Sequence, residues 1–354
     1  MKVAIGPLSN DFGAVGRITK TISSYSKHEV VPFRPPYYNK FLTRFWKKTG
    51  VRLYDPYGFY LGHHILQKFD IIHFMNHPVY REVHFRPTNP RSKYVYRIPG
   101  LYTTYVKTND KNYSFCKKLD EWMIESCRQS DAIIAGSNWW KNHLMNVYNL
   151  DSIVIKNGVS VKKWIMGNSK RFEKKYKIKS GFCLYAARLS PEKSPDFFVE
   201  VARQLPNIKF VMIGPHVTQN RVSAFIGKSL PDNVTCLGRL LGYDLLDCFS
   251  SSKVVIHELA QLGGNVVLEA MASKSIPLVS VESSGVRKGT DSLWFNPPSE
   301  GLYFQKGDIR DCVDNLIYAM QNPDIALRAY HRALSEYDWS HIIKKYDQLY
   351  DRIV

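Results

Sequence analysis

The chain has 354 residues and a formal net charge of +18 at pH 7, with 44% hydrophobic and 23% charged residues. This length and composition predict two globular domains and exclude a disordered or a fibrous protein. Because no uncharged apolar run approaches the ~20 residues of a membrane-spanning helix, and no secretory signal precedes the first strand, we expect a soluble, cytoplasmic protein.

Short apolar segments rich in β-branched residues alternate along the chain with segments of helical period. Strands that are apolar throughout and separated by helices indicate parallel sheets covered on both faces. The sequence therefore predicts an α/β protein with two doubly wound, Rossmann-like domains. The predicted strands are 2–5, 29–31, 70–73, 94–96 and 132–135 in the first half, and 182–185, 209–213, 234–236, 254–256 and 276–279 in the second.

A turn-rich, charged stretch from residue 157 to 180 joins the two series of strands. We expect an N-terminal domain over 1–165 and a C-terminal domain over 166–337. The last segment, 338–354, carries one apolar stripe at helical spacing and is predicted to be a docked amphipathic helix. The stripe consists of Ile342, Ile343, Tyr346, Leu349, Tyr350 and Ile353.

Two loops that follow predicted strands carry candidate ligand groups. After 182–185, Arg188 and Lys193 lie five residues apart, and a guanidinium fork and an ammonium can converge on one diphosphate. After 254–256, Gly263 and Gly264 precede a helix, so the backbone can approach an anion closely, and Glu269 lies within reach of ligand hydroxyls. Each motif alone also fits an ordinary loop. Arg188 and Lys193 fit solvated loop charges, and Gly263-Gly264 fits a plain turn.

A third loop, residues 11–17, follows the first strand and contains Gly13 and Gly16. It lacks the G-x-G-x-x-G spacing of a dinucleotide fingerprint, which disfavours a nicotinamide or flavin cofactor. The loop is also compatible with a flexible lip, which we call the glycine lip, beside a phosphate or an acceptor.

Together these motifs resemble retaining glycosyltransferases of the GT-B fold, in particular glycosyltransferase family 4 (glycosyl transferases group 1). The likeness runs over nearly the whole chain, from the glycine lip to Asp338-Trp339 and Tyr346. It implies two Rossmann-like domains that face each other across a cleft, with the last helix crossing back to the N-terminal domain. It also implies that the N-terminal domain binds the acceptor and the C-terminal domain binds a nucleotide-sugar.

The resemblance also implies roles for single residues. Arg188 and Lys193 match the R-x4-K pair that binds the donor diphosphate, and Glu269 matches the later acid of E-x7-E, which binds the ribose. The earlier acid is replaced by Gln261, which can hydrogen-bond a sugar hydroxyl but carries no charge. The other implied donor-side residues are Gly13, Gly16, Gly263, Gly264, Asn265 and Val266.

A histidine that the family often carries after the strand at 94–96 is replaced here by Pro99-Gly100. His73 and His77 are candidates to supply an imidazole on the acceptor side or beside the donor sugar, and each also fits a structural role. Arg97, at the end of the same strand, is a third candidate on that side.

The expected reaction moves a sugar from a nucleotide-sugar to an acceptor hydroxyl with retention of anomeric configuration. The sequence contains no Asp-x-Asp triplet to clamp a metal on the diphosphate, so fixed positive charge must hold the leaving group. We therefore expect a UDP- or GDP-sugar donor, no metal and no other cofactor.

The positive charge is uneven, since residues 1–165 carry a net charge of +14. Such a domain favours an anionic partner, although a basic surface can also serve solubility alone. Segment 37–48 interleaves aromatic and basic residues without an acid, which suits an anionic membrane surface as well as a core-facing helix with a basic rim. We expect a glycan or lipid-linked acceptor and peripheral attachment to a membrane.

Three other interpretations remain open. A nucleic-acid-binding protein is disfavoured because no such motif is present, so we expect no nucleic-acid partner. A non-catalytic relative that binds sugar nucleotides would explain Gln261. A sugar-nucleotide epimerase of the same fold would release a product that keeps its nucleotide.

Overall fold

The computed structural model describes residues 1–6, 14–33, 68–75, 92–98, 100, 101, 103, 113–258, 265–281 and 294–354. The chain divides into two compact units: unit 1 comprises residues 1–156 and 342–354, and unit 2 comprises residues 157–341. Six of the predictions above concern positions outside the described residues. These are Gly13, His77, Gln261, Gly263, Gly264 and the segment 37–48.

Unit 1 is built on a parallel sheet. Its strands are β1 (Lys2–Gly6), β2 (Glu29–Pro32), β3 (Ile71–Met75), β4 (Lys93–Ile98), β5 (Ala132–Ala135) and β6 (Ile153–Val154). Its helices include α1 (Ala14–Tyr25), α2 (Tyr113–Arg128) and α3 (Asn138–Tyr148). The strands lie in the order β2-β1-β3-β4-β5-β6. At the start of α3, the Ser137 hydroxyl caps the helix by accepting a hydrogen bond from the Trp140 N–H at 3.2 Å.

Unit 2 is built on a second parallel sheet. Its strands are β7 (Phe182–Ala186), β8 (Phe210–Ile213), β9 (Val234–Gly238), β10 (Ser252–His257), β11 (Ile276–Val281) and β12 (Leu302–Gln305). Its helices are α4 (Val161–Trp164), α5 (Ser169–Tyr176), α6 (Pro195–Gln204), α7 (Gln219–Ile226), α8 (Gly242–Ser251), α9 (Asn265–Ala272), α10 (Ile309–Gln321) and α11 (Asp324–Arg332). The strand order is β12-β11-β10-β7-β8-β9.

Both faces of the second sheet are buried. Successive side chains of a strand point to opposite faces, so each strand contributes to both buried faces. On β7, Phe182 and Leu184 join one apolar cluster, while Cys183 and Tyr185 join the cluster on the opposite face. Helices cover both clusters, so the strands carry no polar face toward water. This is the reason that they read as short, continuous apolar runs.

The last helix, α12 (Trp339–Ile353), connects the two units in sequence, and its residues from Ile342 onward belong to unit 1. Most of its predicted apolar stripe is buried: Ile342, Ile343, Tyr346, Leu349 and Tyr350 are each at most 6% exposed, while Ile353 is partly exposed. The return of the C-terminal helix to the N-terminal unit is therefore confirmed.

The prediction of two doubly wound parallel sheets is confirmed as well. The sequence analysis missed β6 and β12, which lie at the sheet edges, β6 being only two residues long. Within the described ranges, no helix combines the length and the hydrophobicity that a bilayer crossing requires.

Candidate functional site

The strand order of unit 2 marks where a ligand is expected to bind. The first strand of the unit, β7, pairs with β8 on one side and with β10 on the other, so the chain reverses its direction of winding between β7 and β10. In open α/β sheets, ligands bind beyond the carboxyl ends of the strands at such a switch point. The loops that leave β7 and β10 therefore define the candidate site.

The loop after β7 carries Arg188 and Lys193, as predicted. The Arg188 side chain is 65% exposed and donates from Nε to Glu192 Oε1 at 3.0 Å, while the Ser190 hydroxyl donates to the same oxygen at 2.8 Å. Burial acts to raise the pKa of Glu192, but the hydrogen bonds from Arg188 and Ser190 outweigh it and leave the pKa below its ordinary value. Glu192 therefore holds the guanidinium in place as an anion.

The Lys193 ammonium is half-buried and has no ion-pair partner in the part of the chain that the structure describes. Burial lowers its pKa, the neighbouring Arg188 charge lowers it further, and Glu192 opposes both effects. Two cations close together in a partly desolvated loop are stabilised by any anion that binds both. A diphosphate matches this need, since it offers several oxygens to a guanidinium and an ammonium at once.

The backbone at Arg188 is fixed by the neighbouring strand β8, which the sequence analysis did not foresee. Ala187 N–H donates to Ile213 O at 3.1 Å, and Tyr185 Oη donates to Arg188 O at 3.1 Å. Gly214, with a φ of +147°, packs so closely that a Cβ atom there would lie 1.8 Å from Ala187 O. Only glycine fits this position, because any side chain would displace the loop. The sequence feature that could have indicated this close approach is the pair Gly214-Pro215, directly after β8.

Helix α9 leaves the loop after β10 and carries the predicted Asn265, Val266 and Glu269. Asn265 and Glu269 are four residues apart, so they share one helix face. Asn265 Oδ1 accepts a hydrogen bond from Asn157 Nδ2 at 3.0 Å, and Glu269 is 7% exposed. Val266 is partly buried against the core of unit 2. The structure thus brings these three residues to the helix that follows β10, beside the strand from which Arg188 and Lys193 depart.

Glu258, directly after β10, is a further polar group of this region, which the sequence analysis did not single out. Burial raises the pKa of this carboxyl, while hydrogen bonding from Ser194 and Gly307 and the charge of Lys306 oppose the rise. Its Oε2 atom is buried and has no hydrogen-bond partner among the described residues. Because Ser194 directly follows Lys193, the Glu258 carboxyl lies near the loop that holds both cations.

The described candidates of unit 1, Gly16, His73 and Arg97, are buried within that unit. Gly16 is buried in the first turn of α1. His73 is fully buried on β3, where its Nδ1 lies 2.7 Å from the Tyr350 hydroxyl, and burial, together with the Arg97 charge, lowers its pKa to about 3. The imidazole is therefore neutral at pH 7.

Arg97 lies on the neighbouring strand β4 and is 3% exposed. Its guanidinium donates to the Tyr346 hydroxyl and, at 3.0 Å, to Ile155 O. His73 and Arg97 are thus brought together by two tyrosines of α12, and they fasten that helix to the first sheet. Their assignment to the acceptor side stays a prediction. In the described part of the chain, no three His, Cys, Asp or Glu side chains cluster as metal ligands would.

Comparisons with known proteins agree with this geometry. A search of curated proteins found no match to the chain. A glycosyltransferase from Rickettsia africae ESF-5 shares 18% identity with a TM-score of 0.72, over 99% of this chain and 98% of that one. Sucrose-phosphate synthase from Thermosynechococcus elongatus shares 15% identity with a TM-score of 0.75, over 99% of this chain and 98% of that one.

The Anabaena protein HepE, solved in complex with UDP-glucose, shares 13% identity with a TM-score of 0.74, over 99% of both chains. These structures show that the fold of this chain is GT-B. Residues 168–336, which include Arg188, Lys193, Asn265, Val266 and Glu269, match the sequence model of the family described as glycosyl transferases group 1.

Proposed function

We propose that the chain is a glycosyltransferase that moves a sugar from a nucleotide-sugar to an acceptor hydroxyl with retention of anomeric configuration. The observation that carries this proposal is the pair of cations after β7, one exposed and one half-buried without an ion-pair partner in the described chain, at the switch point of the second sheet. The match of residues 168–336 to glycosyl transferases group 1 supports it.

In this proposal, Arg188 and Lys193 bind the diphosphate of the donor. As the bond between the sugar C1 and the diphosphate oxygen breaks, its electron pair stays on that oxygen, and the two cations stabilise the growing negative charge. No metal is needed for this step, since the charge is supplied by the chain. Removal of one such preorganised donor typically costs ~10²–10³ in rate.

The acceptor oxygen attacks C1 from the face that the diphosphate leaves. Its proton passes to the departing phosphate oxygen, so the products are the glycoside and a nucleoside diphosphate. Glu269 binds the ribose of the donor, and Gln261, Gly263, Gly264, Asn265 and Val266 surround the sugar. Gly13 and Gly16 belong to a lip on the donor side.

A UDP-sugar is the first donor to test, since UDP-glucose is bound in the structure of HepE; GDP-sugars are the second. For the acceptor, we propose a glycan or lipid-linked hydroxyl bound by the N-terminal unit, with His73, His77 and Arg97 on that side. Segment 37–48 would meet an anionic membrane surface, so the enzyme would act in the cytoplasm at a membrane.

The experiment measures the melting temperature with UDP, GDP and their sugars, because a ligand that binds the folded state raises it by mass action. The best donor is then incubated with the protein, and the released nucleotide and the anomeric proton of the product are followed by NMR. Release of nucleoside diphosphate with a retained anomer supports the proposal. Binding without turnover of any donor or acceptor indicates a non-catalytic relative, and a product that keeps its nucleotide indicates an epimerase.

A further inference from the structure

A strongly basic segment leads into unit 2 and takes no part in the proposed donor site. Between residues 161 and 179, eight side chains are basic and only Glu173 is acidic. The segment comprises α4, a turn at residues 165–168, α5 and the three residues that follow it. Its basic residues are Lys162, Lys163, Lys170, Arg171, Lys174, Lys175, Lys177 and Lys179.

Two of these cations have a structural role. Arg171 pairs with the buried Asp247 of α8, and Lys175 pairs with Asp244 of the same helix at 2.7 Å. These two ion pairs fix α5 against α8. The position of the segment on the unit is therefore set without the other six basic residues.

The other six lysines are exposed and have no ion-pair partner within the described ranges. Lys170 and Lys174 lie four residues apart on α5, so they project from one side of the helix, and Lys177 follows at its C-cap. Lys162 and Lys163 extend the charge onto α4, and Lys179 lies beyond the end of α5. Six ammonium groups without an ion-pair partner in the described residues give this surface a positive charge that favours an external anion.

Exposed apolar side chains accompany these cations. Ile165 and Met166 follow α4, and Leu241 and Tyr243 lie at the start of α8; each is between 42% and 56% exposed. The turn that carries Ile165 and Met166 is held in place, because the preceding Trp164 is 6% exposed and packs on Phe249 with ring centroids 5.0 Å apart.

Arg171 connects the apolar and the basic residues into one surface. Its guanidinium carbon lies 4.9 Å from the centroid of the Tyr243 ring, and its Nη2 donates to Met166 O at 3.5 Å. Arg171 of α5 therefore lies against both the turn at 165–166 and the start of α8. We call this surface, formed by residues 162–179 with Leu241 and Tyr243, the basic platform.

We propose that the basic platform docks unit 2 on an anionic lipid bilayer. Lysines would lie among anionic headgroups, while Ile165, Met166, Leu241 and Tyr243 would enter the boundary between headgroups and acyl chains. Aliphatic side chains beside the cations favour a lipid surface, because they can enter the acyl region of a bilayer. A nucleic acid is instead bound through its phosphates by cations and through its bases by stacked aromatic rings. The platform shares no residue with segment 37–48, and the inference does not rest on the proposed enzymatic function.

The test is co-sedimentation of the full chain with vesicles of phosphatidylcholine, with and without phosphatidylglycerol, at low salt. We expect binding only to the anionic vesicles. One lysine near an anionic surface changes the partition coefficient about fivefold, so Lys170→Gln, Lys174→Gln and Lys177→Gln together reduce it about 100-fold. The matched control removes the same charge elsewhere on unit 2, by Lys209→Gln, Lys228→Gln and Arg328→Gln, and is expected to bind within a few-fold of the wild type.

A second variant, Ile165→Ser with Met166→Ser, tests the apolar part and is expected to weaken vesicle binding at least tenfold, even at low salt. Loss of binding in the control as large as in the lysine variant, or wild-type binding by the lysine variant, overturns the proposal. Tighter binding of a single-stranded oligonucleotide by the same lysines, unaffected by the serine variant, also overturns it. The affinity for UDP, measured on every variant, reports separately on the proposed function.

Discussion

Gly214→Ala is expected to weaken UDP binding by displacing the loop that carries Arg188, although Gly214 itself touches no ligand in the proposed mechanism. A Cβ atom at this position would lie 1.8 Å from Ala187 O and 3.3 Å from Arg188 N. The carbonyl must retreat by more than 1 Å to reach even a short van der Waals contact of 3.0 Å. The hydrogen bond from Ala187 N–H to Ile213 O then breaks or lengthens.

The expected magnitude follows from these contacts. Misplacing one charge-assisted hydrogen bond costs about 1.5–3 kcal/mol, which corresponds to about a 10- to 100-fold rise in Kd for UDP. Backbone strain and overpacking together lower the free energy of unfolding by about 3 kcal/mol. UDP affinity is measured by titration calorimetry, and stability by urea unfolding monitored by tryptophan fluorescence.

Gly227→Ala is the matched control, since Gly227 also has a positive φ, +68°, but an added Cβ would meet nothing within 4 Å. It is expected to cost about 1 kcal/mol of stability and to leave UDP affinity unchanged. If Gly214→Ala binds UDP as tightly as the wild type, or if the control loses as much affinity, then the contact with Ala187 does not position the Arg188 loop.

Lys193→Met is expected to raise the Kd for UDP at least tenfold without lowering the free energy of unfolding, because it removes a half-buried ammonium whose pKa is lowered by burial and by Arg188. Unchanged UDP affinity in this variant would contradict the assignment of Lys193. His73 has a folded pKa of about 3 against 6.5 for the free side chain, so the unfolded chain binds more protons between these values, and stability is lost as the pH falls. The loss from pH 6.5 to pH 5 is expected to be about 2 kcal/mol. His73→Gln should remove most of that loss in urea unfolding at the two pH values, and an unaltered pH dependence would show that this imidazole is not the group responsible.

The sequence was sufficient to predict the sheets, because a strand buried on both faces must be apolar at every position. The run Phe182-Cys183-Leu184-Tyr185 is an example, with alternate residues in two separate clusters. Strand β6 could not be predicted in the same way. It consists of Ile153 and Val154 alone, a length at which no periodicity exists, and it is recognised by its pairing with β5.

The position of Arg188 and Lys193 after β7 was also predictable. A charged loop that follows a buried strand can be recognised from the local sequence, without knowing which strands lie beside it. The roles of Gly214 and Glu258 were not. Gly214 matters because β8 lies beside β7, and Glu258 because the end of β10 lies near Ser194, and both facts depend on the order of strands in the sheet.

The environment of His73 and Arg97 was hidden for a similar reason. Both side chains meet tyrosines from α12, and more than two hundred residues separate the partners in sequence. Local patterns around residues 73 and 97 carry no information about such a partner. The apolar stripe of α12 predicted that this helix would dock, but not that two of its tyrosine hydroxyls would receive buried polar groups.

The membership of residues 342–354 in unit 1 has a consequence for the order in which the two units are made during synthesis. Unit 2 is one uninterrupted stretch and has all its residues once position 341 has been made, whereas unit 1 also needs residues 342–354, which are made after unit 2. Until then, the sites on β3 and β4 that receive Tyr350 and Tyr346 stay open. A nonsense codon between positions 342 and 350 would therefore damage unit 1, although most of that unit is made before unit 2.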